Sequence, residues 1–109
     1  MTSTAADAPV IVLTTLGADA DADALARTLV DERLAACVNV LPLMTSHYRW
    51  KDAVEQAGER QLIIKTTAGR VDALRARLIQ LHPYEVPEFL VIDVAGGSKG
   101  YLQWLRDSV

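Results

Sequence analysis

The hydrophobic and polar positions of this chain follow two different periods, which predict strands and helices in turn. Uninterrupted runs of apolar and β-branched residues are typical of strands. Four such runs are present, at residues 9–16, 37–45, 59–67 and 88–95. The extended segment 46–50 continues the second run. Residues 51–58 are polar, and we expect them to form the turn region that leads to the third strand.

Three further segments carry apolar residues three or four positions apart, the spacing of a helix that buries one face. The first helix is expected from about residue 21 to residue 35, since its early aspartates suit a helix N-terminus. The second covers residues 71–81 and should end at His82-Pro83, because the residue before a proline is pushed out of the helical region. A short last helix should follow Ser98, which can cap it.

The element order βαββαβ, with two split βαβ halves, predicts an α+β fold of the ferredoxin-like type with helices on one face of an antiparallel sheet. The hairpin over residues 37–67 is longer than one such sheet needs. Because an exposed apolar edge is a liability, we expect this hairpin to pair with further copies of the chain in a closed ring. Residues 9–109 should form one domain, and residues 1–8 a disordered tail.

Composition narrows the classes of function. The chain has 109 residues, half of them hydrophobic, and a net charge of −3 from 14 acidic and 11 basic residues. The basic residues are scattered, so a nucleic-acid-binding face is not expected. No apolar run approaches the ~20 residues that a membrane span needs, and the first eight residues do not resemble a secretory signal. Cys37 is the one cysteine, which excludes an internal disulfide, and we expect a cytoplasmic protein.

The sequence contains few candidates for chemistry. No nucleophile elbow or convincing phosphate loop is present, so enzyme activity is not expected. His82 and Cys37 are candidate metal ligands, but neither has a second ligand at the spacing of a zinc or copper site. The alternative roles are structural, since a lone cysteine is usually a small buried hydrophobe and His82 can be a hydrogen-bonded turn residue. Three copies in a ring could bring together ligands that one chain lacks.

Lys65 lies in an otherwise apolar strand, where an ammonium group must find an acceptor or reach a cleft. Glu59 or Glu88 could be that acceptor. The hypothesis that follows is a ligand pocket for an anion or another small molecule. Its predicted lining is Ser46, Lys65, Tyr84 and Glu59.

Four aromatic residues lie outside the centres of the predicted core strands. Aromatic side chains with a polar group often fill interfaces, where one end is dry and the other has a hydrogen-bond partner. We therefore expect contacts between subunits rather than ligand stacking for these residues, which are Tyr48, Trp50, Tyr101 and Trp104.

Five motifs, in order along the chain, resemble those of a known family. They are LAACVNVLP at residues 34–42, SHYRW at 46–50, E-x-x-L-x-x-K-T at 59–66, HPYEVPE at 82–88 and Y-x-x-W at 101–104. Together they are similar to the CutA family, the divalent-cation tolerance proteins, over residues 10–105. The family commonly has a glycine shortly after the tryptophan of the hairpin, whereas this chain has Lys51-Asp52 there.

The resemblance implies a tight homotrimer of ferredoxin-like protomers, similar in assembly to the PII signalling proteins, and a role in tolerance to copper and other divalent metals. Some members carry a cysteine in the first strand and a second histidine before His-Pro-Tyr, where this chain has Thr14 and Leu81. We therefore expect no obligatory cofactor and only weak binding of Cu²⁺ or another divalent metal, through His82 and Cys37. The alternatives are a PII-like sensor of a small anion and a trimeric scaffold for a partner protein.

Overall fold

A computed structural model describes residues 5–109 and shows five strands in one antiparallel sheet, together with three α-helices and a short 3-10 helix at Ala68–Arg70. The strands are β1 (Pro9–Gly17), β2 (Cys37–Val40), β3 (Met44–Trp50), β4 (Ala53–Thr67) and β5 (Leu90–Asp93). The helices are α1 (Ala22–Asp31), α2 (Val71–Leu81) and α3 (Lys99–Asp107). The sheet order is β2-β4-β1-β5, and β3 pairs with β4 outside this path. The predicted α+β, ferredoxin-like class is confirmed.

One face of the sheet is covered by α1 and α2. Opposed residues of antiparallel strands share a face, so Val12 of β1 and its partner Ile64 of β4 point the same way. Both are fully buried, in a core that also contains Leu29 of α1 and Leu74 of α2. We call this side of the sheet the covered face.

The other side of the sheet, which we call the open face, is also apolar. In the strand register, Leu13 of β1 lies between Ile63 of β4 and Leu90 of β5. Ile11, the next residue of β1 on this face, pairs with Ile92 of β5. The side chains of Leu90 and Ile92 are 54% and 46% exposed. The chain therefore builds a sheet with two apolar faces and covers one of them with α1 and α2, whereas α3 reaches the other face beside Lys65, which lies near the Tyr101 ring.

The hairpin differs from its prediction in both strands. The expected strand over residues 37–45 is interrupted around Pro42, so β2 and β3 are separate strands. The expected turn region at residues 51–58 is wrong, because the turn consists only of Lys51 and Asp52, at φ 49° and 65°. Two successive residues with positive φ are typical of the tight hairpin turn whose twist matches its strands. The polar residues after the turn belong to β4. Both sides of this two-stranded ribbon are exposed, so its strands do not need the apolar residues by which a strand is recognised.

Helix α1 ends four residues earlier than predicted. Arg33 has φ 58°, and the N–H of Leu34 donates to the carbonyl of Leu29 while that of Arg33 donates to Val30. These two bonds form a Schellman motif, in which the residue after the left-handed position packs back onto the helix. The apolar position Leu34 therefore belongs to the helix stop and not to the helix.

The N-terminal segment is described from Ala5 onward. Residues 5–8 form a turn. Its carbonyl groups accept hydrogen bonds from the segment after β4: the N–H of Ala68 donates to the carbonyl of Ala8, and the N–H of Gly69 donates to the carbonyl of Ala6, each at 2.8 Å. Residues 1–4, which belong to the predicted disordered tail, lie outside the described residues. In the part of the chain that the structure describes, no helix is long and apolar enough to cross a membrane.

Candidate functional site

A cleft of about 810 Å³ lies between the hairpin, the strands β1 and β4, and the segment that follows α2. Its walls combine aromatic rings with carboxylates. The aromatic residues are Tyr48, Trp50 and Tyr84, the acidic residues are Glu59, Glu85 and Glu88, and Ser46, His47, Lys51 and Gln61 add further polar groups. The cleft thus unites residues from two motifs that are more than twenty positions apart in the sequence.

His82 anchors one wall of the cleft. Helix α2 ends at Leu81, and His82 adopts an extended conformation before Pro83, as predicted. The imidazole is only 7% exposed, its Nε2 lies 2.7 Å from the carbonyl oxygen of Thr15, and its Nδ1 accepts the N–H of Tyr84 at 3.1 Å. A carbonyl oxygen can only accept, so Nε2 carries the proton and both ring nitrogens are engaged. In this geometry His82 pins the segment after α2 to β1.

Tyr84 and Glu59 form the closest polar contact in the cleft. The Tyr84 hydroxyl donates to Oε2 of Glu59 at 2.6 Å, a length typical of a bond to an ionised carboxylate. Burial and this hydrogen bond raise the pKa of Tyr84 well above its ordinary value, so its hydroxyl stays protonated and continues to donate. Glu59 itself is only 6% exposed. A carboxylate is therefore held at the base of the cleft by a neutral donor.

Gln61 organises a second carboxylate. Its Nε2 donates to the carbonyl oxygen of Thr14 at 2.8 Å and to Oε2 of Glu88 at 2.9 Å. The two hydrogens of the amide are thereby used, and they tie the segment before β5 to the centre of the sheet. The ion pairs between described residues are Arg77–Glu32 and Arg106–Asp7, and neither involves a carboxylate of the cleft.

The predicted ligand pocket is assembled only in part. Ser46, Glu59 and Tyr84 line the same cleft, but Lys65 does not. Six residues separate Lys65 from Glu59 along the extended strand β4, which is roughly 20 Å. The Lys65 ammonium lies 5.8 Å from the centre of the Tyr101 ring on α3 instead. Without Lys65, the charges that line the cleft are mainly negative, so its geometry does not favour the expected anion.

The two candidate metal ligands lie in different parts of the sheet. Cys37 is opposite Lys65 in the register, and its Sγ is 3.7 Å from Oδ1 of Asn39. His82 contacts Thr15, whose partner on β4 is Gln61, four residues from Lys65. Among residues 5–109 no group of three or more His, Cys, Asp and Glu side chains is arranged to hold a metal ion.

The four aromatic residues predicted at subunit contacts form two separate, partly exposed pairs. Tyr48 and Trp50 are 43% and 39% exposed near the tip of the hairpin. Tyr101 and Trp104 are 43% and 46% exposed on α3, with ring centroids 5.3 Å apart. The role of these residues in subunit contacts stays a prediction, and Tyr48 and Trp50 also line the cleft.

Gln61 and Glu88 were not predicted as residues of this pocket. The carboxylates Glu85 and Glu88 suit solvated positions at a strand start, and Gln61 lies in a strand without any motif that marks a ligand. Their link, Gln61 Nε2 to Glu88, joins residues 27 positions apart. The one signal in the sequence is that Glu85 and Glu88 belong to the same HPYEVPE motif as Tyr84.

The family described as CutA1 divalent ion tolerance protein matches residues 10–108. The chain belongs to the CutA1 family. The divalent-cation tolerance protein CutA of Thermus thermophilus is 44% identical over 98 residues, which cover 90% of this chain and 95% of that protein. The resemblance drawn from the five motifs is thereby confirmed. The description of the CutA1 family is that of a tolerance protein and not of an enzyme.

Solved CutA1 structures share the fold over almost the whole chain. CutA1 of Oryza sativa superimposes with a TM-score of 0.89 at 37% identity, covering 93% of each chain. The divalent cation tolerance protein of Thermus thermophilus gives 0.88 at 43% identity, covering 92% of this chain and 97% of that one. The fold and the family are therefore established together.

Proposed function

We propose that this CutA protein acts in divalent-cation tolerance as a homotrimer that binds copper or another divalent metal weakly. Membership of a family described by tolerance to divalent ions supports the biological role. The apolar open face of the sheet is the observation that carries the assembly. A cytoplasmic location is part of the proposal. It rests on the single cysteine, which cannot form a disulfide within the chain and so requires no oxidising compartment.

The edge strand β5 supports assembly most directly. All four of its residues are exposed, including Leu90, Val91 and Ile92 at 54%, 45% and 46%. An edge strand with apolar side chains and unpaired backbone groups is a template for pairing with another chain. A closed ring of identical subunits would cover each such edge once and leave none free.

The distal part of the hairpin gives the second argument. Over residues 44–58, β3 and β4 pair with each other, whereas β1 pairs with β4 only from Glu59 onward. A two-stranded ribbon alone is marginally stable in water. This ribbon nevertheless carries Val54 at 70% exposure, besides Tyr48 and Trp50. Packing of the ribbon against a neighbouring subunit would cover these side chains.

Light scattering of purified protein at micromolar concentration tests the assembly. We expect a trimer for the wild type and a monomer for Leu90→Asp, because the substitution places a charge on the open face. Ile79→Asp is the matched control, since Ile79 is 58% exposed on α2 and lies away from the open face. A monomeric wild type, or a trimeric Leu90→Asp, would contradict the proposed assembly.

Weak metal binding follows from the engagement of the candidate ligands. A metal at His82 must displace either the Thr15 carbonyl or the Tyr84 N–H from a ring nitrogen. Cys37 contributes a thiol on another part of the sheet, so a site with several ligands requires residues from more than one subunit.

Calorimetric titration with Cu²⁺ tests the metal ligands, comparing wild type with His82→Ala, Cys37→Ala and His47→Ala. His47, the second histidine of the chain, is exposed on β3 and is the control for adventitious binding. We expect the first two substitutions to weaken the binding and His47→Ala to leave it unchanged. Unchanged binding by His82→Ala would exclude His82 as a ligand.

A further inference from the structure

We propose that residues 5–8 act as a strap that fixes the position of α3, and with it the Tyr101–Trp104 pair, for contact with a neighbouring subunit. We call this segment the N-terminal strap. It bonds at one end to the residues before α2 and at the other to α3. The fixing of α3 takes place within a single chain, whereas its effect on assembly rests on the proposed trimer.

Helix α3 buries little of itself. Of its nine residues, all of them described, Leu105 is the buried one, and Ser98 before the helix gives it no side-chain cap. A helix of this length is not stable alone in water. The segment 95–98 that leads into α3 is exposed, so it does not hold the helix in place. The position of α3 therefore depends on contacts near its other end.

Arg106, in the last turn of α3, is the link to the strap. Its Nε donates to the carbonyl oxygen of Asp7 at 3.1 Å and lies 3.8 Å from Oδ2 of the same residue. Hydrogen bonds of charged groups are stronger than neutral ones. A second hydrogen bond at this end of α3, from Nη1 of Arg33 to the carbonyl oxygen of Ser108, is longer, at 3.5 Å. The strap is therefore the firmer of these two attachments.

The strap is itself held at the start of the segment that leads into α2. The carbonyl oxygen of Ala8 accepts the N–H of Ala68 at 2.8 Å. The carbonyl oxygen of Ala6 accepts the N–H of Gly69, also at 2.8 Å. These donors begin the 3-10 helix before α2, whose N-cap residue Thr67 makes no side-chain cap hydrogen bond among the described residues. The strap thus satisfies donors that a capping side chain would otherwise satisfy.

Gly69 allows the strap to come this close. A Cβ atom at this position would lie 2.8 Å from Cβ of Ala6 and 3.0 Å from its carbonyl oxygen, so the strap would have to move. The φ angle of Gly69 is not positive, and alanine is otherwise favoured over glycine in a helical turn. A substitution that should stabilise this turn is therefore expected to displace the strap.

Hydrogen exchange followed by mass spectrometry tests the strap on the peptides of α3. We expect Gly69→Ala to speed the exchange of α3 amides by ~3-fold or more, because a displaced Asp7 no longer accepts the Arg106 guanidinium. Arg106→Gln should have the same effect from the side of α3. The controls are Gly96→Ala, whose added Cβ meets no atom within 4 Å, and Lys99→Gln, which removes an exposed charge from the same helix. Both controls should exchange like the wild type.

The double variant Gly69→Ala/Ala6→Gly separates the strap from α2. Ala6→Gly removes the closest contact of the new methyl group, so most of the wild-type protection of α3 should return. Protection that does not return would show that Gly69→Ala acts through α2 and would exclude the strap. Unchanged exchange of α3 in both Gly69→Ala and Arg106→Gln would overturn the proposal outright.

Light scattering of the same samples over a range of protein concentrations measures the effect on assembly. Trimers with a loosened α3 should begin to dissociate at a higher protein concentration than wild-type trimers, because the Tyr101–Trp104 pair is no longer fixed. Trimers of unchanged stability would refute the effect on assembly. A monomeric wild type, with α3 loosened in Gly69→Ala and Arg106→Gln, would refute the trimer and support the strap.

Discussion

The covered and open faces of the sheet have similar side chains and opposite surroundings. On the covered face, Val12 and Ile64 are fully buried beneath α1 and α2. On the open face, Leu90 and Ile92 remain about half exposed. Apolar character alone thus does not distinguish a core from an interface. The difference lies in how much of each face the chain's own helices cover: α1 and α2 bury Val12 and Ile64, whereas Leu90 and Ile92 stay exposed.

The two faces also differ in their polar residues. The covered face contains two fully buried threonines, Thr14 and Thr66, among its apolar side chains. The open face carries Asn39 and Lys65, whose polar ends reach solvent or an aromatic ring. In a closed core a polar atom that is not hydrogen-bonded lowers the stability of the fold, whereas an interface can pair such atoms with a partner or with water.

Leu29→Ala should have the largest effect, because it empties space in the covered core. Leu29 is fully buried, and such truncations cost about 2–5 kcal/mol of unfolding free energy. Val30→Ala is the adjacent control, since Val30 is 41% exposed, and it should cost less than ~1 kcal/mol. Urea denaturation of both variants measures the difference. Similar costs for the two would mean that α1 does not pack as described.

Ile92→Ala tests whether the open face is a second core. If a neighbouring subunit covers Ile92, we expect a loss of about 2 kcal/mol or more per chain and a melting temperature that rises with protein concentration. An Ile92 side chain left in water would give a loss below ~1 kcal/mol and no concentration dependence. Calorimetric scans at several protein concentrations measure both quantities.

Thr14→Val should stabilise the protein by ~1 kcal/mol. Thr14 is fully buried on the covered face, and its Oγ1 has no hydrogen-bond partner among the described residues. Replacing the hydroxyl by a methyl group removes the cost of a buried unpaired polar atom.

Thr66→Val is the control for this substitution. Thr66 is equally buried on the same face, but its Oγ1 donates to the carbonyl of Leu34 at 2.8 Å. We expect the control to destabilise the protein by ~1 kcal/mol. Urea midpoints of the two variants should therefore move in opposite directions, and a shift in the same direction would contradict this description of the covered face.

The smallest effect is expected at the cleft, as a dependence on pH. The pKa of Tyr84 is raised by burial and by its hydrogen bond to Glu59, so the folded state holds this proton more tightly than the unfolded state. The stabilisation is complete below the ordinary pKa of about 10 and is lost as the pH rises above it. The urea midpoint of the wild type should fall more between about pH 9 and 11 than that of Tyr84→Phe. Equal falls would show that Tyr84 does not titrate with folding.

Several elements follow from local sequence. Helix α2 occupies Val71–Leu81 as predicted. Its apolar spacing and the His82-Pro83 that ends it both depend only on residues that are close together in the sequence. The strand at Pro9–Gly17 was predicted within one residue for the same local reason. The polar half of β4 was missed, because a ribbon exposed on both sides carries no apolar alternation. Helix α1 was predicted too long, because Leu34 keeps the helical spacing although it belongs to the Schellman motif that ends the helix.

The candidate site depended on contacts that local patterns do not encode. Ser46, Glu59 and Tyr84 were predicted together and do line one cleft. Lys65 does not line this cleft, because the extended strand separates it from Glu59 by roughly 20 Å. The link from Gln61 to Glu88 was not predicted, because it depends on where the segment after α2 crosses the sheet.

The sequence by itself determined the fold class, the helix stop at Pro83 and membership of the CutA1 family, since these depend on local periods and on motifs in order. Only the tertiary structure decided that both nitrogens of His82 are engaged, that Tyr84 donates to Glu59 and that one apolar face of the sheet stays open. The physical reason is that a helix or strand that buries one face has apolar residues at a regular spacing, which can be read from the sequence. The pairing of distant polar groups is set instead by strand register and by the path of the connecting segments.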